Sequence, residues 1–414
     1  MSCGRMVVTS TGSMVRMSPS SIVGRMVGPD ISKRRERFRE SSNRAYSRRS
    51  GRSSRSRCPR YVFISLNAGI SAPYRANVSR SGYNLQAATG RSAMCDLSII
   101  IVSHNTRELT ARCLRSLFAF ARGLRIEVIV VENASEDGTA RLVREEFPDV
   151  RLIENAMNVG FARACNQGLR QARGRYVMLL NSDTEFCADV LGPLLRRLDA
   201  HPEVGAAGPR LIYPNGRTQH YSAARAKSLL GTLAQYSIPR RREIPLHLKP
   251  LDPSPQGPLY ETESISGAAM IVRREVLETV GLLDEGFFLY GEDADWLLRM
   301  RRVGYKIACA PDLILLHHHG ASSRQNEERR EIEAVKSNLR YFAKHGGRLP
   351  LLLFRLGLAL VLILRMLSLD LARALFRGNG ARFRRDLVLL KYALAHRVGE
   401  ITPCACSSST RVRI

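Results

Sequence analysis

Between residues 96 and 198, short apolar runs alternate with helix-like segments, and this alternation constrains the fold more than any other feature. The runs at 97–102, 126–131, 150–153 and 176–180 are rich in Val, Ile and Leu, as is typical of strands buried on both faces. Between them, apolar residues such as Leu109, Cys113 and Leu117 recur at helical spacing. Strands that alternate with helices predict an α/β fold with a mostly parallel sheet flanked by helices.

The first 94 residues have a different composition. Residues 1–95 contain 18 Arg and Lys but only three Asp and Glu, in a chain whose formal charge is +27. The stretch 41–60 is almost entirely Ser and Arg, which bury too little apolar surface to offset the entropy of ordering. We expect a disordered extension over 1–94. Open alternatives are a nucleic-acid or anionic-surface arm, an organelle transit peptide, and an upstream extension ahead of a true start at Met94.

The cysteines and the start of the chain bear on the cellular compartment. Nine Cys are scattered without a CxxC pair, which excludes a zinc ribbon and argues against a disulfide framework. No apolar segment follows a basic start, so we expect no secretory signal. These features predict a reducing, cytoplasmic environment.

The α/β pattern is interrupted by a Pro-rich segment and then resumes. Seven Pro lie between Pro214 and Pro258 and no clear period survives, which predicts a loop-rich excursion over 214–263 near the site. Regular spacing returns at 264–272, and residues 327–342 are predicted to form a helix. We therefore expect the α/β domain to occupy residues 95–325.

Residues 349–369 are almost wholly apolar and long enough to span a bilayer, which needs about 20 residues. Arg355 and Arg365 interrupt the run, and both are close enough to its ends to reach the membrane interface. Ten basic and two acidic side chains lie between residues 346 and 399, which suits an anionic cytoplasmic leaflet. We expect a helical, apolar and basic region over 326–414 with peripheral or monotopic attachment. A true span and a soluble pair of core helices are the alternatives.

Polar side chains follow each of the four predicted strands. They include Asn105 after the first strand, Glu132 after the second, Asn158 after the third, and Asn181 with Asp183 after the fourth. Ligands collect at the carboxyl ends of the strands of such sheets, so we expect a binding site there. Helix N-caps explain any one of these residues, but explain less well why amides and carboxylates recur at one edge.

The sequence excludes several nucleotide-binding signatures. It has no GxxxxGK[ST] loop, no GxGxxG after the first strand and no GxSxG elbow. A nucleotide would therefore be held by side chains and a metal ion. The pair Asn181 and Asp183 suits Mg²⁺ or Mn²⁺ with few protein ligands, which leaves positions open for diphosphate oxygens. A helix N-cap role for Asp183 is the alternative.

Two further clusters carry chemistry. Glu292, Asp293 and Asp295 lie within four residues and are flanked by apolar sequence, where carboxylates are costly unless a cation or a reaction uses them. A solvated face is the ordinary alternative. Farther along, an apolar run ends in three His; in an extended chain His317 and His319 share a face, and a neutral imidazole can ligate a metal.

Taken together, these segments resemble family 2 glycosyltransferases of the GT-A fold, especially the rhamnosyltransferase-like branch. The matching stretches are IIIVSHNT, VIVVENASEDGT, NAMNVGFARACNQGL, YVMLLNSDT, SGAAMIVRREV, LLDEGFFLYGEDADWLLRMRRVGYKI and LLHHHGAS. They cover residues 96–325 apart from the Pro-rich excursion. Their shared order and spacing make the resemblance specific.

The resemblance implies roles for the nucleotide-binding residues. Asn105 and Glu132 would contact the base and ribose, although the family usually has Asp where this chain has Glu132. The side of the pocket would be lined by Asn158, Gly160 and Asn166. Asn181 stands where many relatives have Asp or Asn, and Ser182 replaces the common Pro of this branch.

The resemblance also implies the reacting groups. Asp183 matches the metal-binding aspartate, and His317 matches a metal-binding His of some relatives. Asp293 matches the catalytic base, with Glu292 as second choice, while Arg299 or Arg302 would help to stabilise the leaving diphosphate. The QxxRW motif of processive synthases is absent, which predicts the addition of a single sugar.

The implied function is metal-dependent, inverting transfer of a sugar from a nucleotide-diphosphate sugar to an acceptor hydroxyl. A basic, membrane-contacting tail fits a lipid-linked glycan acceptor at the inner face of the membrane. A sugar-nucleotide-binding protein without catalysis is the alternative. Nucleic acid is not the expected partner, and a nucleotidyltransferase would need a Gly/Arg-rich first loop that this chain lacks.

Overall fold

The structure is a computed structural model, and it describes residues 95–237, 246–251, 257–318, 327–376 and 380–395. The predicted extension over 1–94, and His319, lie outside the described residues.

The first half of the domain is a run of four parallel strands. They pair in the order β3-β2-β1-β4 and comprise β1 (Leu97–Ser103), β2 (Ile126–Glu132), β3 (Arg151–Glu154) and β4 (Tyr176–Asn181). Each lies where the apolar runs predict a strand, and β1 and β4 are buried along almost their whole length. The parallel sheet over this part of the chain is confirmed.

Helices connect these strands and cover both faces of the sheet. They are α1 (Arg107–Phe120), α2 (Thr139–Glu146), α3 (Phe161–Gln171) and α4 (Leu191–Ala200). The side chains of α1, α2 and α4 pack in one apolar cluster and those of α3 in a second. All four helices lie at the predicted positions, because their apolar spacing matches the helical period.

The second half makes the sheet mixed. It adds β5 (Thr184–Phe186), β6 (Val204–Ile212), β7 (Lys249–Pro250), β8 (Tyr260–Thr262), β9 (Ala269–Arg273) and β10 (Lys306–His317). The order is β3-β2-β1-β4-β9-β6-β10-β8-β7, and β5 pairs with β10. Because β9 is antiparallel to both β4 and β6, the strands β6 and β10 run in the same direction as β4. The carboxyl end of β10 therefore lies at the same edge as the ends of β1 to β4.

The Pro-rich segment contains short elements between its loops. A single 3₁₀ turn (His220–Ser222) and α5 (Leu229–Ser237) follow β6, and β7 and β8 pair with each other as an antiparallel edge. Two short helices follow, α6 (Arg274–Thr279) and α7 (Glu292–Arg302), and the acidic cluster forms the first turn of α7. Trp296 of α7 is fully buried and donates through Nε1 to Gly281 O at 2.8 Å, which anchors α7 under the sheet.

Three further helices follow the sheet, namely α8 (Glu327–Gly346), α9 (Arg348–Phe376) and α10 (Gly380–Ala395). Their buried side chains form a third apolar cluster that includes Phe287 and is lined by residues of α5 and α7. The three helices are thus packed on the segments that precede and contain the acidic cluster.

The two arginines of the apolar run behave differently from the sequence-based expectation. Arg365 pairs with the fully buried Asp386 of α10 and donates to Tyr236 O at 3.2 Å. Arg355 donates to Ala393 O of α10 at 2.7 Å. Both guanidinium groups are therefore used inside the helical cluster, and the expectation that they reach toward a membrane interface is wrong. Asp386 is fully buried, and withdrawing Arg365 to solvent would leave that carboxylate as an unpaired buried charge, which is strongly destabilising.

We expect Gly168→Ala to destabilise the fold. Ala usually favours a helix over Gly by about 1 kcal/mol, but a Cβ at position 168 would lie 2.6 Å from Ile100 Cγ2 on β1. The clash should lower the free energy of unfolding by about 1–3 kcal/mol in urea titrations. Gly231→Ala in α5 is the matched control, because its Cβ meets only the rotatable hydroxyl of Ser228. Equal stability of both variants would show that α3 does not pack this closely on β1.

Candidate active site

The loops after β1 and β2 are bonded to each other at the carboxyl edge of the sheet. Asn105 has a left-handed backbone (φ 52°), and its Oδ1 accepts from Glu136 N at 2.8 Å. Its own N–H donates to Ser135 Oγ at 2.9 Å, and Ser135 N donates to Glu132 Oε1 at 2.6 Å. Asn105 and Glu132, both predicted to contact the nucleotide, are thus brought together and held by one turn.

Asn133 organises the loop after β3. Its Oδ1 accepts from Val159 N at 3.0 Å and from Asn155 Nδ2 at 3.1 Å, and its Nδ2 donates to Asn158 Oδ1 at 2.9 Å. Asn133 is 3% exposed, so this network is a buried connection between the ends of β2 and β3. It places Asn158 beside Glu132 at the edge, and it gives Asn133 a positioning role that the sequence-based assignment missed.

Gly160 is required by close packing. It has a positive φ (86°), and a Cβ there would lie 2.8 Å from both Phe288 Cδ2 and Phe288 O. Phe161 N donates to Phe288 O at 2.7 Å, so the segment before α7 rests on the start of α3. The close contact at Gly160 therefore connects the loop after β3 to the segment that leads into the acidic cluster.

Asn166 is bonded to a neighbouring segment. Its Nδ2 donates to Leu283 O at 2.9 Å and to Glu285 Oε1 at 3.0 Å, while its Oδ1 accepts from Leu283 N at 3.1 Å. It is 1% exposed. These bonds fix the 283–285 segment to α3, so we assign Asn166 a structural role and leave it out of the nucleotide site.

Asp183 and His317 meet although 134 positions separate them. In the antiparallel pairing of β5 with β10, His317 lies opposite Thr184, and His318 N donates to Asp183 O at 2.9 Å. This register brings His317 Nε2 within 3.2 Å of Asp183 Oδ1, and both side chains are almost fully buried. The amide Nδ2 of Asn181 lies 3.4 Å from the same imidazole nitrogen.

Gln219 fixes the orientation of His317. Its Nε2 donates to His317 O at 2.7 Å, and because a carbonyl only accepts, its Oε1 must be the atom that faces His317 Nδ1 at 2.8 Å. The imidazole Nδ1 therefore carries the proton. Nε2 then faces Asp183, and a hydrogen bond from the other ring nitrogen is how proteins commonly orient metal-binding His. Gln219 is fully buried and lies in the Pro-rich segment, where no sequence signal marked it.

The pair fits a divalent cation. The 3.2 Å separation of Asp183 Oδ1 and His317 Nε2 suits either a proton on Nε2 or a cation bound by both atoms. Adjacent ligands of an octahedral ion lie about 3 Å apart when each is about 2.1 Å from the metal. Within the described residues no group of three or more His, Cys, Asp and Glu converges on one point, so the other ligands would come from water or a bound diphosphate.

Asp293 lies at the same edge as Asp183. Its Oδ2 accepts from Gly267 N at 3.2 Å, and the next residue, Ala268, accepts from Asn181 N at 2.9 Å. The 266–268 segment before β9 thus bridges the end of β4 to the first turn of α7. Asp293 is half-buried, and its Oδ1 also accepts from Ala294 N at 2.7 Å. The two carboxylates therefore converge on one edge of the sheet.

Glu292 has a different environment from its neighbour. Its Oε2 is buried and has no hydrogen-bond partner among the described residues. Burial and the adjacent charge of Asp293 raise the pKa of Glu292 to about 8. Glu292 is therefore largely protonated at neutral pH, which disfavours it as the group that accepts a proton.

Lys227, like Asn133 and Gln219, is a residue that the sequence did not indicate. Its Nζ lies 3.5 Å from the Cβ position of Gly291 and 5.1 Å from the centre of the Tyr341 ring. Burial lowers the pKa of Lys227, and the charges of Asp293 and Glu292 oppose that shift. The segment before α5 thus places the Lys227 side chain next to the first turn of α7.

Asp295 is a structural carboxylate. It accepts from Arg299 Nε at 2.9 Å and lies 2.7 Å from both Lys344 Nζ and His345 Nε2, and these partners hold its pKa well below the usual range despite burial. Arg299 also donates to two backbone carbonyls, and Arg302 Nη1 lies 3.0 Å from His345 Nδ1. Both arginines are thus bonded within this cluster, which locks α7 to the end of α8. We leave them out of the diphosphate site.

The family model for Glycosyl transferase family 2 matches residues 98–281, a range that contains Asn105, Glu132 and Asp183. Residues 98–281 thus match a family 2 glycosyltransferase domain. The mostly parallel, mixed sheet flanked by helices confirms the predicted α/β fold.

Two of the proteins that this chain resembles are named for O-antigen biosynthesis and for rhamnosyl transfer. The chain is 30% identical over 233 residues to the O-antigen biosynthesis protein RfbC of Myxococcus xanthus, a match that covers 55% of this chain and 18% of that protein. It is 27% identical over 280 residues to the N-acetylglucosaminyl-diphospho-decaprenol L-rhamnosyltransferase of Mycobacterium tuberculosis, covering 62% of this chain and 87% of the relative. Among solved structures, the mannosyltransferase PcManGT from Pyrobaculum calidifontis, in complex with GDP-Man and Mn²⁺, is similar with a TM-score of 0.43 and 19% identity, over 73% of this chain and 87% of that one.

We expect Glu292→Gln to flatten the pH dependence of stability. Because the folded-state pKa of Glu292 is raised to about 8, the native state keeps a proton that the unfolded state releases above about pH 5. The free energy of unfolding should therefore fall as pH rises from 5 to 8, by roughly 1–3 kcal/mol more in the unmodified protein than in the variant. Urea titrations at several pH values measure this difference.

Glu278→Gln, at an exposed position of α6, is the control and should leave the pH profile unchanged. If Glu292→Gln and Glu278→Gln gave the same profile, Glu292 would not hold a proton at neutral pH.

Proposed function

We propose that the protein transfers a single sugar from a nucleotide-diphosphate sugar to an acceptor hydroxyl, with inversion at the sugar carbon. The observation that carries this proposal is the convergence of the Asp183–His317 pair and Asp293 on one edge of the sheet. The family 2 domain supports the donor class. The nucleotide would occupy the edge beside Asn105, Glu132 and Asn158.

Asp183 and His317 are the residues that would hold a divalent ion, Mg²⁺ or Mn²⁺. When bound, such an ion offsets the negative charge that develops on the leaving diphosphate. Gln219 holds a proton on Nδ1 of His317, which would leave Nε2 available to such an ion. Asn181 lines the same position through its side-chain amide.

Asp293 is the residue that would accept the proton of the acceptor hydroxyl. It is half-buried, and the amides of Gly267 and Ala294 donate to its two oxygens, which fixes the orientation of the carboxylate. A general base held in one rotamer avoids the cost of reorganisation during the reaction. Lys227 lies at the start of the same helix and balances the charge of Asp293.

The acceptor is proposed to be a lipid-linked glycan on the cytoplasmic side of a membrane. The relative from Mycobacterium tuberculosis is named for an acceptor joined through a diphosphate to decaprenol, and this chain spans most of its length. A rhamnosyl donor follows from the same resemblance. Cell-surface polysaccharide synthesis is the corresponding process, as in the biosynthesis for which the Myxococcus xanthus relative is named.

We expect Asp293→Asn to abolish turnover and to preserve donor binding. Amide oxygens are too weakly basic to take the proton of a hydroxyl, so hydrolysis or transfer should fall at least 100-fold. The assay screens UDP-, GDP- and dTDP-sugars with Mn²⁺ or Mg²⁺ for release of the nucleotide, and calorimetry measures donor binding. Asp149→Asn, at an exposed position, is the control.

If no sugar nucleotide is turned over while one binds, the protein is a sugar-nucleotide-binding protein without catalysis. If Asp293→Asn keeps the turnover of the unmodified protein, Asp293 is not the base.

We expect Asp183→Asn to weaken metal binding and donor binding together. Loss of one of two protein ligands should shift the Mn²⁺ concentration for half-maximal activity at least tenfold higher. Electron paramagnetic resonance titration of Mn²⁺ gives the binding change directly, with Asp149→Asn again as the control. Unchanged Mn²⁺ binding in Asp183→Asn and in His317→Ala would place the ion elsewhere.

A further inference from the structure

Helix α9 has an exposed face made only of aliphatic side chains. These residues are each between 41% and 64% exposed, and together we name them the leucine face: Leu349, Leu352, Leu353, Leu356, Leu360, Ile363, Leu364 and Leu367. They recur every three or four residues, so they share one side of the helix. At 1.5 Å per residue, the face is about 27 Å long.

The opposite side of α9 is turned to the protein. Phe354, Leu358 and Leu362 are fully buried in the cluster shared with α5, α8 and α10. The guanidinium groups of Arg355 and Arg365 lie on this side and are bonded to α10. By length and composition, residues Arg348–Ser368 could cross a bilayer. A crossing helix would have to leave α5 and α8, which belong to or pack on the folded domain.

Helix α10, which packs on α9, carries positive charge on its own exposed side. Its outward residues Arg384, Leu387, Lys391 and Leu394 are exposed and follow one another at intervals of three or four. Asp386 and Leu389, on the other side, are buried. The outward surface of α10 thus alternates basic and apolar side chains, which is typical of helices that lie in the interface of an anionic membrane.

We propose that α9 and α10 dock the protein on an anionic lipid surface, with α9 parallel to the plane of the bilayer. The leucine face enters the boundary between head groups and acyl chains, and Arg384 and Lys391 bind the anionic head groups. A protein partner fits less well, because the leucine face has neither aromatic side chains nor hydrogen-bond donors, whereas the cores of protein interfaces are enriched in aromatic residues and Arg.

Docking brings the proposed active site close to the lipid, and this consequence rests on the proposed function. Arg365 of α9 donates to Tyr236 O of α5, and Lys227 lies just before α5. Ser337 of α8 donates to Leu289 O, in the segment that leads into Asp293. One layer of helices thus lies between the leucine face and Asp293, the proposed catalytic base. The axes of packed helices are typically about 8–10 Å apart. An acceptor carried by a membrane lipid would need to reach across only this layer.

The test measures binding of the full chain to preformed vesicles by sedimentation. One set of vesicles is phosphatidylcholine alone, and the other contains about one third phosphatidylglycerol. The double substitution Leu356→Glu with Leu360→Glu should lower binding to the anionic vesicles at least tenfold. Arg384→Glu with Lys391→Glu should lower binding at least tenfold on anionic vesicles and change it little on neutral ones.

Val303→Glu, at the exposed apolar residue that directly follows α7, is the matched control and should bind like the unmodified protein. Thermal unfolding checks that each variant folds, which is expected because every substituted side chain is exposed. Equal binding of all variants would overturn the proposal and assign lipid binding to another basic segment, such as residues 1–94. A protein that is dimeric without lipid, and monomeric once Leu356 and Leu360 are changed, would assign the leucine face to a second copy.

Because the readout is lipid binding, it does not depend on turnover. Failure of the docking surface would leave the activity assays with Asp293→Asn untouched, and failure of the proposed transferase activity would leave the vesicle result unchanged.

Discussion

The antiparallel pairing of β5 with β10 is the contact on which the candidate site depends. It sets His317 opposite Thr184 and so brings one imidazole to the carboxylate that ends the first half of the sheet. Gln219 then fixes the tautomer through two hydrogen bonds that can be satisfied in only one orientation. A shift of the register by one residue would turn His317 to the other face of the sheet, because side chains alternate along a strand.

Three carboxylates within four residues have three different environments, and their division of roles follows from what each touches. Asp295 is surrounded by cations that keep it charged, Glu292 is buried without a partner and holds its proton, and Asp293 is half-buried with two amide donors. Of the three, Asp293 is the carboxylate held by backbone amides at the edge of the sheet, where a substrate could reach it. The same cations that neutralise Asp295 tie α7 to α8, which couples the proposed base to the C-terminal helices.

The C-terminal helices share one apolar cluster with the segment that precedes α7. Phe287, α5 and α7 contribute to this cluster together with α8, α9 and α10, so the helices that carry the leucine face also support the wall of the site. Arg355 and Arg365 donate hydrogen bonds to α10, so these two charged side chains lie on the side of α9 that packs on the protein. A helix whose two central arginines are bonded on the protein side leaves an apolar side that is suited to lie on a lipid surface, whereas composition alone would equally permit a crossing.

Sequence alone determined β1 to β4, the helices between them and the edge at which polar residues gather, because these depend on short-range periodicity and on the rule that parallel strands end together. It also singled out Asp183, Asp293 and His317 by their motifs. Only the tertiary structure decided that β9 runs antiparallel between β4 and β6, that Gln219 and Lys227 reach the site from the Pro-rich segment, and that Asn166 is structural. Each of these depends on pairing between residues far apart in the chain, and such pairing is set by the packing of the whole domain, which leaves no periodic signal in any one segment.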